Sequence, residues 1–173
     1  MTKILIATDA WRPQVNGVVR TLQSLASSSR GFDAEFVFLT AEGFRSFPLP
    51  SYPSIRCAVP TPREIARRIE DAAPDCLHIA TEGPVGYMAR RYCLRRGLSF
   101  TTSYMTRFPE YVAARLPIPQ SWIYSLLRRF HAAAAVTMVS TPSLMEEPPA
   151  VGSSISKCGL VASIPSCSGR SVP

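Results

Sequence analysis

The chain has 173 residues, of which 46% are hydrophobic and 18% are charged, a balance typical of a globular protein and not of a disordered one. Its length suits one domain with a substantial core, and no apolar run reaches the roughly 18 residues that a membrane span needs. The net charge of +7 comes almost wholly from arginine, since Lys3 and Lys157 are the two lysines. This charge suits phosphates, nucleotides, nucleic acid or an anionic bilayer, and it does not choose among them.

The first residues, MTKILIATDA, turn polar too soon for a secretory signal, which predicts a cytoplasmic protein. The cysteines have no CxxC or metal-ligand spacing, so we expect buried, reduced thiols and no metal site. They are Cys57, Cys76, Cys93, Cys158 and Cys167.

Short apolar runs alternate with helical patterns from residue 1 to about residue 147. The predicted strands cover residues 3–8, 34–40, 54–60, 76–81, 98–104 and 135–141. The predicted helices cover residues 17–28, 61–73, 83–97 and 118–134. Because the strand candidates are apolar along nearly their whole length, we expect them to be covered on both faces of one parallel sheet. The alternation predicts an α/β fold with a doubly wound, mostly parallel, Rossmann-like sheet.

Local signals fix several helix ends. Thr61 with Glu64 three residues later predicts a capping box, and Gly97 predicts the end of the third helix. Asn16 is expected to cap the first helix, and Gly17 beside it has no Cβ to keep a ligand from the backbone.

Two polar loops follow strands and begin helices, in the segments 9–22 (DAWRPQVNGVVRTL) and 80–86 (ATEGPVG). In an open α/β sheet, ligands bind outside the carboxyl ends of the strands, and a helix N-terminus there attracts anions. We therefore expect both loops to offer anion sites, with Arg20 adding charge to the first. An ordinary turn with a good cap explains the first loop equally well.

In the second loop, Glu82 is predicted to cap the following helix or to accept hydrogen bonds from sugar hydroxyls, with Gly83 beside it. The sequence favours the cap. His78 is expected to be a satisfied strand histidine and His131 a core or surface residue of its helix. Neither has a carboxylate or metal partner at useful spacing along the chain.

Three segments in order carry a family resemblance: residues 9–22, residues 78–97 (HIATEGPVGYMARRYCLRRG) and residues 101–111 (TTSYMTRFPEY). With them, the chain resembles the amino-terminal, acceptor-side half of a GT-B-fold retaining glycosyltransferase of family 4, which includes α-mannosyltransferases and glycolipid synthases. The resemblance implies a cleft near the first loop that approaches the donor phosphates and the acceptor.

The third of these segments holds the least expected residue of the site. Members of the family commonly carry histidine where this chain has Met105, and methionine can neither donate a hydrogen bond nor carry a proton. Tyr104, Thr106 and Arg107 match the family pattern and are expected to shape the substrate site.

The tail, residues 148–173, has neither a helical nor a strand period and is expected to be disordered or non-native. Permitted codons from Val151 onward also encode, in a shifted frame, a string containing WSRGVDTELFRP. Such glycosyltransferases carry this string in the linker to their second Rossmann-like domain. We interpret the tail as the product of a frameshift after about residue 147.

The resemblance implies an enzyme that moves a hexose, mannose being one candidate, from a nucleotide-diphosphate sugar to an acceptor hydroxyl with retention. Family members generally need no metal or other cofactor for this, and no DxD pair is present. Because the family's second domain holds the nucleotide, we expect this chain alone to lack turnover. The alternative is a non-catalytic fragment or binding module.

The acceptor is expected to be lipid-linked, because arginines with apolar neighbours on two helices suit an anionic membrane surface. Solvated helix faces explain the same residues equally well. They are Arg63, Arg67, Arg68, Arg90, Arg91, Arg95 and Arg96. Scattered arginines without a stacking platform make nucleic acid an unlikely partner.

Overall fold

The computed structural model describes residues 1–28, 33–49, 52–105 and 119–139. Its strands are β1 Thr2–Ala7, β2 Ala34–Leu39, β3 Ser46–Leu49, β4 Tyr52–Ala58, β5 Cys76–Ile79, β6 Thr101–Tyr104 and β7 Val136–Val139. Its helices are α1 Gly17–Ser28, α2 Pro62–Ala72, α3 Pro84–Arg96 and α4 Gln120–His131.

Five strands form a parallel sheet in the order β2-β1-β5-β6-β7. The chain starts near the middle of the sheet, adds β2 on one side and then crosses back to build β5, β6 and β7 on the other. This arrangement confirms the predicted α/β class and the mostly parallel sheet.

Side chains of β1 alternate between the two faces of the sheet, as the period of a strand requires. Leu5 and Ala7 of β1 pack in a cluster with α2 and α3, whereas Ile4 and Ile6 pack in a second cluster with Leu22 of α1. Helices therefore cover both faces of the sheet in the described part of the chain, as the nearly continuous apolar strands predicted.

Two strands, β3 and β4, lie outside this sheet. The predicted strand at residues 54–60 is β4, and it pairs antiparallel with β3, with Phe47 opposite Cys57. The expectation that it joins the parallel sheet was wrong, and β3 was not predicted. The segment from 46 to 53 contains three prolines, which remove backbone donors and weaken its strand signal.

The helix ends follow their local sequence. Thr61 Oγ1 accepts a hydrogen bond of 3.2 Å from Glu64 N–H, and Thr61 N–H donates one of 2.9 Å to Glu64 Oε2, so the capping box is confirmed. Gly97 ends α3 with φ at 65°, the left-handed conformation expected of it. Ala73 takes the same role after α2 with φ at 45°.

Candidate functional site

The candidate site lies at the carboxyl edge of the parallel sheet. There the loops after β1 and β5 and the end of β6 lie side by side, because their strands are neighbours or next neighbours in the sheet. Parallel strands bring the residues that follow them to one edge, whatever their separation in sequence. The first loop leads into the N-terminus of α1 and the second into that of α3.

The N-terminus of α1 is capped and open. Asn16 Oδ1 accepts a hydrogen bond of 2.9 Å from Val19 N–H, which confirms Asn16 as the cap. A Cβ built on Gly17 meets no atom within 4 Å. The N–H groups of Gly17 and Val18 have no acceptor earlier in the helix, as at every helix start. Arg20 is exposed one turn further along. This end of α1 can therefore accept an anion.

The N-terminus of α3 is already occupied by a side chain of the protein. Asp9 Oδ1 accepts a hydrogen bond of 2.8 Å from Val85 N–H, and Asp9 Oδ2 accepts one of 3.2 Å from Gly86 N–H. Thr81 Oγ1 donates to Asp9 Oδ2 at 3.0 Å and accepts from Asp9 N–H at 2.7 Å. The expectation of a second anion site here was wrong, because the Asp9 carboxylate is that anion.

The Asp9 carboxyl is largely enclosed. Burial raises its pKa, while the donors from Val85, Gly86 and Thr81 oppose that rise. Asp9 is the second residue after β1 and begins the first motif, and its position after a buried strand was the available sequence signal for a functional or structural role.

Two glycines, Gly83 and Gly86, allow the start of α3 to lie close to the sheet. A Cβ on Gly83 would lie 2.6 Å from Asp9 Oδ2, and a Cβ on Gly86 would overlap the carbonyl oxygen of Thr81. Gly83 is the N-cap residue of α3 and makes no side-chain cap. Its described contacts explain it as a packing glycine, and a direct role in binding substrate stays a prediction.

Glu82 does not cap α3, contrary to the favoured expectation. Its Oε1 lies 3.2 Å from His131 Nε2, at the end of α4. The Glu82 side chain keeps 14% exposure, whereas that of His131 keeps 2%. The expectation that His131 has no carboxylate partner was also wrong. Sequence reasoning missed the pair because 49 residues separate its members.

Two threonine hydroxyls continue this contact into the sheet. His131 Nδ1 lies 2.9 Å from Thr102 Oγ1, which lies 3.0 Å from Thr137 Oγ1. Both threonines are buried on neighbouring strands, β6 and β7, where they stand opposite each other. A line of polar groups thus runs from the rim of the sheet into its interior.

His78 has hydroxyl partners on the other face. Its Nδ1 lies 2.8 Å from Thr101 Oγ1 and its Nε2 lies 2.9 Å from Ser103 Oγ, so the prediction of a satisfied strand histidine is confirmed. Burial lowers the pKa of His78 to about 4. The side chain is therefore neutral near neutral pH.

The side chains of Tyr104, at the end of β6, and of Met105, the next residue, lie on opposite faces of the sheet. The Tyr104 side chain is buried with Ile123 and Leu127 of α4, and its ring meets that of His131 edge-on at 5.9 Å. Met105 is partly buried against the cluster that contains Ile6 and Leu22. Its apolar side chain therefore packs in the core on the face of the sheet that α1 covers. The site roles predicted for both residues stay predictions.

The remaining predicted residues of this loop, Thr106 and Arg107, lie outside the described residues, as does the tail at 148–173. Beside the rim, an open groove of about 640 Å³ is lined by Trp11, Arg12, Pro13 and Glu42. Trp11 stacks on Phe38 with ring centroids 4.7 Å apart. The first loop thus offers an aromatic surface and the charge of Arg12, and Glu42, which follows β2, adds a negative charge to the same groove.

The arginines expected to face a membrane divide into two groups. Three of them are tied to the protein: Arg68 donates to Glu42 O, Arg90 donates to Phe130 O and Arg129 O, and Arg96 pairs with Glu70 at 2.8 Å. The other four are exposed, namely Arg63, Arg67, Arg91 and Arg95.

Among the described residues, no three His, Cys, Asp or Glu side chains are grouped so that they could hold a metal ion. Across these ranges, no helix is both long enough and apolar enough to cross a bilayer. Cys93 is a free thiol whose pKa burial raises to about 12, which confirms the buried, reduced state predicted for it.

Comparison with known proteins identifies the family. The model of Glycosyltransferase Family 4 matches residues 15–147. The chain is also similar to the sulfoquinovosyl transferase SQD2 of Arabidopsis thaliana, with 25% identity over 132 residues, which are 74% of this chain and 25% of that protein. The chain thus spans about a quarter of the length of this curated relative. With a match over more than half of its residues, and a parallel sheet whose rim bears an open helix N-terminus, the chain belongs to Glycosyltransferase Family 4.

Proposed function

We propose that residues 1–147 form the acceptor-side half of a glycosyltransferase of the GT-B type. The intact enzyme transfers a hexose from a nucleotide-diphosphate sugar to an acceptor hydroxyl, with retention of the anomeric configuration. The observation that carries this proposal is the open N-terminus of α1 at the rim of a parallel sheet in a family 4 chain.

The diphosphate is the group that this rim suits best. Backbone N–H groups at the start of α1 and the positive end of its dipole favour negative charge, and Arg20 lies one turn away. Asp9 neutralises the start of α3, so only one of the two helix starts in the rim is left for a phosphate. Fixed donors of this kind stabilise a leaving diphosphate without reorganising during the reaction.

The hydroxyls of the sugar or acceptor are assigned to Glu82. His131 contacts its Oε1, and among the described residues its Oε2 accepts no hydrogen bond. A carboxylate with a free oxygen at a partly exposed rim accepts hydrogen bonds from hydroxyl groups. Tyr104, Thr106 and Arg107 complete the proposed site through the family pattern.

Mannose is one candidate for the transferred sugar, and the sulfoquinovosyl group named in the Arabidopsis relative is another. The family's glycolipid synthases favour a lipid-linked acceptor, which suits a cytoplasmic protein at a membrane surface. No metal or organic cofactor is assigned to the reaction, and the nucleotide sugar is a substrate.

The family resemblance assigns the nucleotide and much of the diphosphate to a second domain. We therefore expect the 173-residue chain to bind a nucleotide sugar weakly and to release no nucleotide from it. Met105 favours the second candidate function, a binding module without turnover, because it replaces a proton-carrying side chain in the family pattern with an apolar one.

The proposal is tested by calorimetric titration of the chain with GDP-mannose and with UDP-glucose, followed by an assay for free nucleotide. Binding that Arg20→Gln weakens, without nucleotide release, supports the acceptor-side half. Arg128→Gln, on the exposed face of α4, is the matched control. The absence of binding to both sugars would contradict the proposed site, and nucleotide release by this chain would contradict the expected lack of turnover.

A further inference from the structure

The contact between His131 and Glu82 joins a buried residue to a rim residue. His131 is held on several sides: the Tyr104 ring meets it at 5.9 Å, the Phe130 ring meets it at 5.2 Å, and Thr102 Oγ1 lies 2.9 Å from its Nδ1. The imidazole is therefore a rigid group inside the protein, while Glu82 is a long side chain near solvent.

The chemistry of the contacts fixes the direction of each hydrogen bond in the neutral imidazole. A carboxylate can only accept, so Nε2 must carry the proton that is donated to Glu82 Oε1. Nδ1 is then the acceptor, and the Thr102 hydroxyl donates to it. The Thr102 oxygen in turn accepts from the Thr137 hydroxyl, so every group in the line has a partner of the correct kind.

We propose that His131 is a positioning residue that fixes the Glu82 carboxylate at the rim, and that the Thr102–Thr137 hydroxyl pair orients the His131 ring for this hydrogen bond. The role of Glu82 in binding a sugar rests on the proposed function. The hydrogen bonds from Glu82 through His131 to the threonine pair do not depend on that function, and the experiments below test the two claims separately.

A free glutamate side chain samples many rotamers, and for a ligand that needs one of them the apparent dissociation constant is the intrinsic one divided by the fraction in that rotamer. The donor from His131 selects one arrangement of the carboxylate before any ligand arrives, and it leaves Oε2 available for a hydroxyl. His131 touches no substrate in this account. It acts through Glu82 alone.

The first measurement needs no ligand. Side-chain ¹⁵N spectra of the full chain report which ring nitrogen of His131 carries the proton. The proposal predicts the proton on Nε2 of His131. A proton on Nδ1 would overturn it, because Nε2 could then not donate to Glu82.

The second measurement tests whether a change at Thr102 alters the surroundings of the Glu82 carboxylate through His131. Thr102→Val keeps the volume of the side chain and removes the donor to Nδ1, whereas Thr102→Ser keeps a hydroxyl. We expect the side-chain carboxyl ¹³C resonance of Glu82 to shift in Thr102→Val and to return toward its original position in Thr102→Ser. An unchanged resonance in Thr102→Val would show that His131 does not position Glu82.

The third measurement compares the affinities for UDP-glucose and UDP, and it tests whether these hydrogen bonds affect sugar recognition. Glu82→Gln and His131→Leu should each reduce the advantage of UDP-glucose over UDP by about tenfold, the effect of one hydrogen bond to a charged group. His131→Gln, which can donate to Glu82 and accept from Thr102, should retain most of it. Thermal unfolding shows whether each variant is folded.

These outcomes distinguish the two proposals. Loss in Glu82→Gln without loss in His131→Leu or Thr102→Val would overturn the positioning role and leave the proposed function intact. Equal affinity of the unaltered chain for UDP-glucose and UDP would contradict the proposed sugar site. In that case the two spectroscopic measurements still decide whether His131 fixes Glu82.

Discussion

Asp9 and Val85 join the first strand to the third helix across 76 residues of sequence, through a hydrogen bond of 2.8 Å from Val85 N–H to Asp9 Oδ1. The neighbouring N–H of Gly86 uses the other carboxylate oxygen. An acidic side chain from one loop thus caps the helix that begins in the next loop. This contact fixes the relative position of the two loops that form the proposed site.

Replacing Asp9 tests this link. Asp9→Asn keeps the size of the side chain, but its amide nitrogen faces one N–H donor of α3 and cannot accept from it. We expect the free energy of unfolding to fall by about 1–3 kcal/mol, the cost of a buried polar group without its partner. Urea denaturation measures this loss. Asp71→Asn, on the exposed side of α2, is the control and should change stability by less than about 0.5 kcal/mol. Equal stability of Asp9→Asn and the unaltered chain would refute the link.

Gly17 and Gly86, in the first turns of α1 and α3, should respond differently to substitution. In Gly86→Ala the new Cβ overlaps the Thr81 carbonyl oxygen, and a backbone atom cannot move aside without lifting α3 from the sheet. We expect a loss of about 4 kcal/mol or more, or failure to fold. Gly17→Ala adds a Cβ in open space and should leave the melting temperature nearly unchanged. Thermal unfolding of both variants measures these effects. A Gly86→Ala protein as stable as the unaltered chain would contradict the close packing of α3 against the sheet.

His78 should make stability depend on pH. Burial lowers its pKa to about 4 in the folded protein, from an ordinary value of 6.5. Between these values the unfolded chain binds more protons than the folded one, so stability falls as the pH falls through this window. We expect His78 to lower the free energy of unfolding by about 3 kcal/mol as the pH falls across this window.

This dependence is measured by urea denaturation at several pH values for the unaltered chain and for His78→Gln, which has no proton to take up. The difference in slope between the two isolates His78 from the carboxylates. Parallel slopes would show that His78 is protonated as readily in the folded protein as in the unfolded one.

Contact with an anionic membrane surface, part of the proposed function, makes a prediction for α3. Tyr87, Arg91, Leu94 and Arg95 are all exposed and recur at the spacing of one helix face. Sedimentation with phosphatidylglycerol vesicles should be strong at low salt and weak at high salt, since screening removes the attraction. Arg91→Gln with Arg95→Gln should reduce it severalfold.

The control for this experiment is Arg20→Gln with Arg128→Gln, which lowers the net charge equally but leaves that face of α3 unchanged. Neutral phosphatidylcholine vesicles should bind little of any variant. If the two double variants lose binding to the same extent, the effect belongs to net charge and not to this face.

Local signals in the sequence predicted the local structure well. The Thr61–Glu64 capping box, the Asn16 cap and Gly97 each depend on residues within four positions of one another, and all three are present. The strand and helix alternation was sufficient for the fold class. These features need no knowledge of which strand lies beside which.

What the sequence did not predict depends on pairings between distant segments. The Asp9–Val85 and His131–Glu82 contacts arise because β1, β5 and β6 are brought together in the sheet, an order that composition and periodicity do not encode. The β3–β4 hairpin was not predicted for a related reason, because an apolar strand has the same sequence pattern whether its partner is parallel or antiparallel. Met105 departs from the family pattern, and the structure shows that its side chain packs against the apolar cluster that contains Ile6 and Leu22.

The most direct test of the account is an amide ¹H–¹⁵N map of the chain during titration with UDP-glucose and GDP-mannose. We expect the shifted amides to cluster at the rim of the sheet, in residues 9–11, 16–20 and 81–83, with Gly17 and Val18 among the most affected. Shifts confined to the arginine-bearing faces of α2 and α3, or no shifts with either nucleotide sugar, would contradict it.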